Sequence, residues 1–426
     1  MKLFKVKIAV ILGALLALFY FSSDFALIDI EKTAIVVSVG IDEGTNKNYK
    51  ITAQIAIPQA TDEAAANDDA VVTAEGNTVM EGIQNVGEKT GWHPKLSFCS
   101  LILIGKKIAE KGVRDIIDYF LVSEKVQNSA VVAMAEERAD EILLSKTPLD
   151  AISSFAVSKI VLKSQWMTNT VTVANLKKIA VGEYSRSKAS FMPVIKPIEE
   201  EDKSKEGGSG AQSASISPLS NDFGFDKLNN KSSTIILAAD GSGGSGGGSG
   251  GSGGSGGEKD KVFDATSFAV FSDFKLKGEL DKEETQIFNM LKGPAAETYL
   301  TIEKADEKIL LQLRDNDRRV KVDFDNGEKV KIKLDFKVEI ADSDKGYSLD
   351  KQNRRSVVDE ETLDAATKKL NEILSRLIEK IKLYDTDILE LKDYVYKFRN
   401  DKFQSFSQKK LSELKFSLSG KVYSLD

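Results

Sequence analysis

Two stretches of the chain carry the hydrophobic patterns of folded α+β structure. In the first, apolar runs and alternating positions predict strands, and apolar positions spaced three or four residues apart predict helices between them. The predicted strands are 34–40, 49–57, 96–105, 129–135 and 191–198. The predicted helices are 77–91, one or two within 108–121, and one that starts at Pro148.

The second stretch contains the strongest strand signal. Apolar and charged residues alternate strictly from Lys329 to Ile340, and shorter alternating runs occupy 309–313 and 320–324. Asn326-Gly327 lies between the runs 320–324 and 329–340, and this pair of residues is the preferred one for a tight hairpin turn. We therefore expect a hairpin with one apolar and one solvated face.

A long amphipathic helix follows this hairpin. Its apolar positions recur at helical spacing from Leu363 to Ile381, and Ser356 and Asp359 are candidate caps for its start. The apolar stripe of the helix and the apolar face of the hairpin each need a partner, so we expect them to pack together. A weaker alternation at 414–423 predicts a final strand.

Residues 199–262 separate the two patterned stretches. The segment begins with the acidic run 199–202, and Gly241–Gly257 contains only glycine and serine. Such a composition predicts a flexible tether; it is typical of an engineered linker, with a natural low-complexity insert as the alternative. The fold class is therefore α+β and multi-domain, with mixed and antiparallel sheets packed with helices, in domains 27–198 and 263–426.

The first 26 residues predict a signal segment that remains as a membrane anchor. Lysines precede an uncharged apolar run over 8–21, the pattern of an export signal, and no good cleavage site follows. The run is short for a full bilayer span. Positively charged flanks stay in the cytoplasm, which places the rest of the chain outside. The predicted anchor residues are Lys2, Lys5, Lys7, Ile8, Leu12, Leu15, Leu16 and Phe19.

Composition argues against several function classes. The formal net charge is -6 with no strong basic stripe, which disfavours nucleic-acid binding. The chain has one cysteine, Cys99, and one histidine, His93, so an intrachain disulfide and most zinc sites are excluded. We expect Cys99 to be a buried apolar residue and His93 to lie in a loop or at a helix end. No cofactor or metal is predicted.

Acidic and basic residues offer the remaining candidate chemistry. Asp42, Asp385 and Asp387 stand at predicted element ends, where an aspartate commonly accepts hydrogen bonds from backbone amides. Asp315, Asp317 and Asp325 crowd the hairpin turns without a calcium-loop pattern. A basic sheet face is a candidate interaction surface for anionic lipid or an acidic partner, with a solvated face as the alternative. Its residues are Arg318, Arg319, Lys329, Lys331 and Lys333.

Several segments resemble the Ger(x)C family of bacterial spore germination proteins. In the first stretch they are AIVVSVGID at 34–42, YKITAQIAIP at 49–58, EGNTVMEGIQNVGEKTG at 75–91 and LILIGKKIAEKGVRDIIDYFL at 101–121. In the second they are FAVFSDFKLKGELDKEET at 268–285 and YDTDILEL at 384–391. The resemblance covers nearly all of the chain except 199–262. Members usually carry a lipobox cysteine after the signal, whereas Ser22, Ser23 and Asp24 stand here, so the apolar segment itself is expected to hold the protein.

The resemblance implies a non-catalytic subunit of a nutrient germinant receptor. It implies an α+β protein on the outer face of the cytoplasmic membrane, later the spore inner membrane. It also implies two integral-membrane partner subunits, one permease-like and one larger. Two alternatives stay open: an extracytoplasmic module that binds a small nutrient, and a wall hydrolase built on paired carboxylates.

Overall fold

The predicted α+β fold is confirmed in the computed structural model of the chain. The structure describes residues 7, 11–15, 33–56, 69–122, 126–148, 150, 152–198, 261–293, 298–304, 307–324, 328–343 and 358–425, with the side chains of 163–168 excepted. Within these residues, one sheet of nine strands and one of four are packed with α-helices.

The first sheet is mixed. Its strands are β1 Thr33–Glu43, β2 Tyr49–Ala56, β3 Asp69–Gly76, β4 His93–Lys95, β5 Leu101–Ile104, β6 Val131–Ala135, β7 Ala189–Ile198, β8 Val262–Ser272 and β9 Lys275–Leu280. The order is β3-β2-β1-β5-β6-β7-β8-β9, and β4 pairs with the start of β1. The central strands β1, β5, β6 and β7 run parallel, while antiparallel strands extend the sheet on both sides.

Helices cover both faces of this sheet. They are α1 Val79–Thr90, α2 Lys106–Lys111, α3 Arg114–Val122, α4 Ala139–Leu144, α5 Ser153–Thr168 and α6 Leu176–Tyr184. Ile102 and Ile104 join a cluster that includes Phe120, while Leu101 and Leu103 join a separate cluster on the other face. Burial on both faces explains why the sequence of β5 is continuously apolar instead of alternating.

Three predicted boundaries were wrong in detail. The predicted strand 96–105 is interrupted by a 3₁₀ turn over Leu96–Phe98, because the amide of Cys99 donates to the Leu96 carbonyl. The strand predicted from residue 129 begins at Val131. The helix predicted from Pro148 begins at Ser153. The Thr147 hydroxyl donates to the Asp150 carbonyl at 2.5 Å, ahead of the helix start.

Strands β7 and β8 pair across the low-complexity segment. Their antiparallel register runs from Ala189 opposite Ser272 to Ile198 opposite Val262. Ile198 and Val262, which flank residues 199–261, are directly opposed on adjacent strands, so β7 and β8 are connected as a β-hairpin. Strand β8, which follows the segment in sequence, belongs to a sheet whose first seven strands precede it.

The second sheet carries the predicted hairpin, helix and final strand. Its elements are α7 Lys282–Lys292, β10 Thr298–Lys304, β11 Glu307–Asp323, β12 Lys329–Ser343, α8 Glu360–Tyr384, α9 Leu391–Phe398, α10 Asn400–Ser407 and β13 Lys415–Ser424. The order is β10-β11-β12-β13, with β13 parallel to β12. The alternating runs at 309–313 and 320–324 lie on one strand, β11. The hairpin pairing is confirmed, while Asn326-Gly327 lies outside the described residues.

Helix α8 packs on the apolar face of this sheet, as predicted. Asp359 caps its start by accepting the amide of Thr362 at 2.7 Å; Ser356 lies outside the described residues. Gly420 on β13 permits a close approach, because a Cβ atom there would lie 2.8 Å from Leu370 Cδ2. The close packing of α8 against β13 therefore requires glycine at this position of the strand.

Side chains from helices donate hydrogen bonds to backbone carbonyls of the outermost strands of both sheets. The donor and acceptor pairs are Lys89 with Thr73, Asn85 with Glu75, Gln286 with Tyr299, Lys369 with Thr301, Tyr384 with Glu279 and Asn371 with Gly420. Asn371 also accepts the Gly420 amide, so it pairs with β13 much as another strand would. Outer strands with satisfied polar groups offer little template for unwanted sheet extension.

The hairpin register generates a prediction about stability. Replacing residues 200–260 by Asn-Gly should raise the free energy of unfolding by about 2 kcal/mol, because closing a long loop costs more chain entropy than closing a short one. Urea denaturation of the two full-length chains in the same detergent measures the difference. A second copy of Gly241–Gly257 provides the control and should lower stability by a few tenths of a kcal/mol. A destabilised short-loop chain would contradict the register.

Candidate functional site

The predicted anchor falls mostly outside the described residues. Lys7, Leu12 and Leu15 are described, in helical conformation, and Leu12 and Leu15 are largely exposed. Lys2, Lys5, Ile8, Leu16 and Phe19 are not described. Across the described ranges, we find no helix with the length and apolar character needed to cross a bilayer.

The structure brings four of the five predicted basic-face residues together. Arg319 lies opposite Lys333 in the β11–β12 register, and Lys329 and Lys331 follow on the same side of β12. Arg318 lies opposite Leu334, on the side of the sheet that carries the apolar residues. Register shifts near Leu313 change the phase of β11 and produce this difference.

Acidic side chains neutralise part of the positive charge of this basic face. Lys333 forms ion pairs with Asp335 at 2.7 Å and Asp317 at 3.0 Å, and Lys331 pairs with Asp323 at 2.5 Å. Hydrogen bonds to the carboxylates of Asp335 and Asp317 raise the pKa of Lys333. Asp315 lies on β11 as well, and Asp325 is outside the described residues. The face is consequently a mixed ionic surface with an excess of lysine.

The single cysteine and the single histidine occupy different environments. Cys99 is buried, as predicted, and burial raises its pKa to about 12, so the thiol stays protonated and unreactive. His93 is exposed on β4, where it pairs with Thr33 of β1. His93 lies just past the end of α1, as predicted, although residues 93–95 form a short parallel strand beside β1 instead of a loop.

Asp42 caps a helix, as its position at a strand end suggested. Its carboxylate accepts the amides of Ala139 at 2.8 Å and Asp140 at 2.9 Å, at the start of α4. Burial raises the pKa of Asp42, although these two amides oppose the change. The capped helix starts 97 residues further along the chain, so this cap is a tertiary contact.

A charged cluster beside Asp42 was not anticipated. Asp140 accepts hydrogen bonds from Arg138 at 2.8 Å and from Lys50 at 2.6 Å. Burial alone would raise the pKa of Asp140, but these two cations lower it to about 2. The adjacent polar cleft, at the carboxyl end of β1, has a volume of about 190 Å³. Pockets for drug-sized molecules are generally larger and mostly apolar.

Asp385 and Asp387 also act as caps, as predicted. Asp385 ends α8 in the left-handed conformation at φ 47° and accepts the amide of Leu411 at 2.7 Å. Asp387 accepts the amides of Leu391 and Lys392, both at 2.8 Å, at the start of α9. Burial raises the pKa of Asp387 to about 6 despite these hydrogen bonds.

Asp387 additionally connects two distant parts of the chain. The Ser187 hydroxyl, in the turn after α6, lies 2.8 Å from carboxylate oxygens of both Asp387 and Asp393. In the same turn, the Arg186 guanidinium lies 3.3 Å from the centre of the Tyr396 ring. This contact network, which we call the 187–387 junction, comprises Arg186, Ser187, Asp387, Asp393 and Tyr396.

Glu183 forms a second polar connection of the same type. Its carboxylate accepts the Ser190 hydroxyl at 2.6 Å and the Phe274 amide at 2.7 Å, and burial raises its pKa. Phe274 in turn contacts Arg114, whose guanidinium lies 4.3 Å from the ring centre. Asp42, Glu183 and Asp387 thus each form hydrogen bonds that join distant segments of the chain.

The described residues contain no group of three histidine, cysteine or acidic side chains placed to hold a metal ion. Asp42 and Asp387, the two most buried candidate acids, each direct both oxygens to backbone amides. A carboxylate engaged in this way stabilises the start of a helix.

The elevated pKa of Asp387 predicts a pH-dependent stability. Between about pH 4 and pH 6 the folded state binds more protons than the unfolded state, so the free energy of unfolding should fall as pH rises. The slope from one proton is at most about 1.4 kcal/mol per pH unit. Asp387→Asn should remove this contribution, as measured by urea denaturation across that pH range.

Ser187→Ala provides the matched comparison for Asp387→Asn. It removes a hydrogen bond that lowers the pKa of Asp387 but keeps the titrating carboxyl group. The slope should therefore persist and extend to higher pH. An Asp387→Asn protein with the wild-type slope would contradict the assignment of this proton to Asp387.

Two family models match most of the chain. The model described as "Spore germination protein N-terminal domain" matches residues 27–197, and the one described as "Spore germination B3/ GerAC like, C-terminal" matches 266–422. The crystal structure of the GerBC protein is similar over 93% of this chain and 100% of that chain, with 15% identity and a TM-score of 0.49.

Two relatives come from Bacillus subtilis (strain 168). Spore germination protein B3 is 27% identical over 124 residues, which cover 28% of this chain and 33% of that protein. Spore germination protein KC is 24% identical over 169 residues, which cover 38% and 42% respectively. The chain thus aligns with less than half the length of either relative. Because the two family models together span most of the sequence, the chain belongs to the Ger(x)C family of spore germination proteins, the C subunits of germinant receptors.

Proposed function

We propose that this protein is a non-catalytic, membrane-tethered subunit of a nutrient germinant receptor that acts by docking to other proteins. Membership of the family supports the receptor assignment. The observation that carries the non-catalytic role is the use of Asp42 and Asp387 as helix caps. The expected partners are the integral-membrane receptor subunits, one permease-like and one larger.

The proposed tether is the basic and apolar segment at the start of the chain. Lys2, Lys5 and Lys7 are expected to stay in the cytoplasm, with the folded body on the outer face of the membrane. Confinement to the membrane raises the local concentration of a docking surface near its partners, so even weak contacts assemble the complex. Mixed ionic faces, such as that of Arg319 and Lys333, suit specific recognition of this kind.

The alternative of a nutrient-binding module has less support. The cleft beside Asp42 is polar, and the neighbouring Asp140 is already paired with Arg138 and Lys50. Of these three residues, Arg138 lines the cleft, and its guanidinium is already paired with Asp140. Calorimetry of the protein with amino acids and sugars tests this alternative, and a saturable heat would favour it over docking alone.

Tethering can be tested by exchanging the first 25 residues. A chain exported through a cleavable signal peptide should lose at least about tenfold in recovery with the receptor's membrane subunits, because its local concentration falls. Germination on nutrients should fall with it. Copurification from spore membranes and loss of spore refractility are the measurements.

An unrelated uncleaved signal anchor on the same body is the control. It should restore both assembly and germination, since only attachment is required. Full assembly by the freely exported body would contradict the tethering role.

A further inference from the structure

The start of β1 fixes which end of the first sheet lies nearest the predicted anchor. The apolar run ends at Phe21 and the described fold resumes at Thr33. The intervening residues span at most about 40 Å even at full extension. The end of the sheet at Thr33 is thus held close to the membrane if the proposed tether operates. A membrane role for this end of the sheet rests on that part of the proposed function.

Two large exposed aromatic side chains flank β4: Trp92 lies at this end of the sheet, and Phe98 lies further along β1, between the levels of Ile35 and Ser38. Strand β4 pairs in parallel with the first residues of β1, with His93 opposite Thr33 and Lys95 opposite Ile35. Trp92 directly precedes β4 and is 42% exposed. Phe98 lies in the 3₁₀ turn directly after β4 and is 58% exposed.

The backbone that presents these aromatic residues is well fixed. The Trp92 amide donates to the Thr90 hydroxyl at 3.2 Å, directly after the left-handed Gly91 that ends α1. On the other side, Leu96 and Cys99 are buried, and the Ser100 amide donates to the Val37 carbonyl at 3.0 Å. Phe98 therefore points outward from a turn whose neighbouring side chains are anchored in the core.

The chemistry of this surface matches the headgroup region of a bilayer. Tryptophan is enriched at membrane interfaces because its ring is apolar and its N–H is polar. Lys95 is exposed nearby, and lysine extends its charge into the headgroups while its stem lies along apolar surface. Glu88 is the adjacent acid on α1, so charge is secondary here to insertion of the aromatic rings.

We propose that Trp92 and Phe98, with Lys95 between them in sequence, form a lipid-contact patch along β4 that inserts into the outer leaflet, Trp92 more deeply than Phe98. The patch gives the body a second attachment next to the tether, and it holds β1 with its first residues toward the bilayer. The hairpin loop at Asn46 then points away from the membrane. Strand β1 separates the two ends by about 33 Å, given its length from Thr33 to Glu43.

Quenching by brominated lipid tests the patch directly. Trp92 and Trp166 are the two tryptophans of the chain, so Trp166→Phe leaves Trp92 as the reporter. The full chain is reconstituted into vesicles of three parts phosphatidylcholine to one part phosphatidylglycerol, with or without bromine at the 6 and 7 positions of the acyl chains. We expect bromine to reduce Trp92 emission at least twofold. Phe98→Ala in this background should weaken the quenching by at least half.

The control places the reporter at the opposite end of β1. Asn46 is exposed, so Asn46→Trp combined with Trp92→Phe and Trp166→Phe should give emission that bromine leaves unchanged. Vesicle-bound protein whose Trp92 is not quenched would overturn the patch and leave the tether standing. A chain that fails to sediment with vesicles would overturn the tether and, with it, the patch. Equal quenching at positions 46 and 92 would overturn the proposed orientation.

Discussion

The pairing of β7 with β8 is the interaction on which the rest of the structure depends. Strand β8 contributes to all three hydrophobic clusters of the described chain. Phe268 and Val270 join the core under α8, Ala269 and Phe271 join one face of the first sheet, and Phe263 and Ala265 join the other. Removing β8 from its place would open each of these cores at once, and deleting a single buried phenylalanine already costs several kcal/mol.

This constraint explains how a chain interrupted by a glycine- and serine-rich segment can present composite surfaces. Ser187 and Arg186 precede the segment, whereas Asp387 and Tyr396 follow it, yet hydrogen bonds and ring contacts join them. A buried polar junction of this kind rigidifies the structure when each of its members has a hydrogen-bond partner. The described fold therefore holds surfaces from both halves of its sequence in fixed register.

Much of the fold could be predicted because its signals are local. Strict alternation at 329–340 and helical spacing at 363–381 each specify an element and its buried face within a few turns of chain. The pairing of β7 with β8 has no comparable signal, since the segment between them carries no turn motif of defined length. The Ala139 amide that Asp42 accepts lies 97 residues away, and the Ser187 hydroxyl that Asp387 accepts lies 200 residues away. Position in sequence alone could not identify either.

One missed feature of the candidate site was visible in the sequence. Arg318 shares its even parity with Val320 and Val322, which face the core, whereas Arg319 shares its parity with Lys321. Because alternate residues of a strand face opposite sides of the sheet, the two arginines of this run face different sides. Grouping them by charge alone concealed this difference. The exposure of Trp92 and Phe98 had no such signal, because an isolated aromatic residue beside a short strand is as compatible with a core as with a surface.

Cutting the chain within Gly241–Gly257 is the most direct test of the central role of β8. A protease site is inserted there and the folded protein is cleaved to completion. A denatured sample verifies that cleavage is complete. The undenatured product is then examined by size-exclusion chromatography in mild detergent. The pairing of β7 with β8 predicts that the two fragments elute together as one particle and unfold in a single transition. Fragments that separate without denaturant would contradict it.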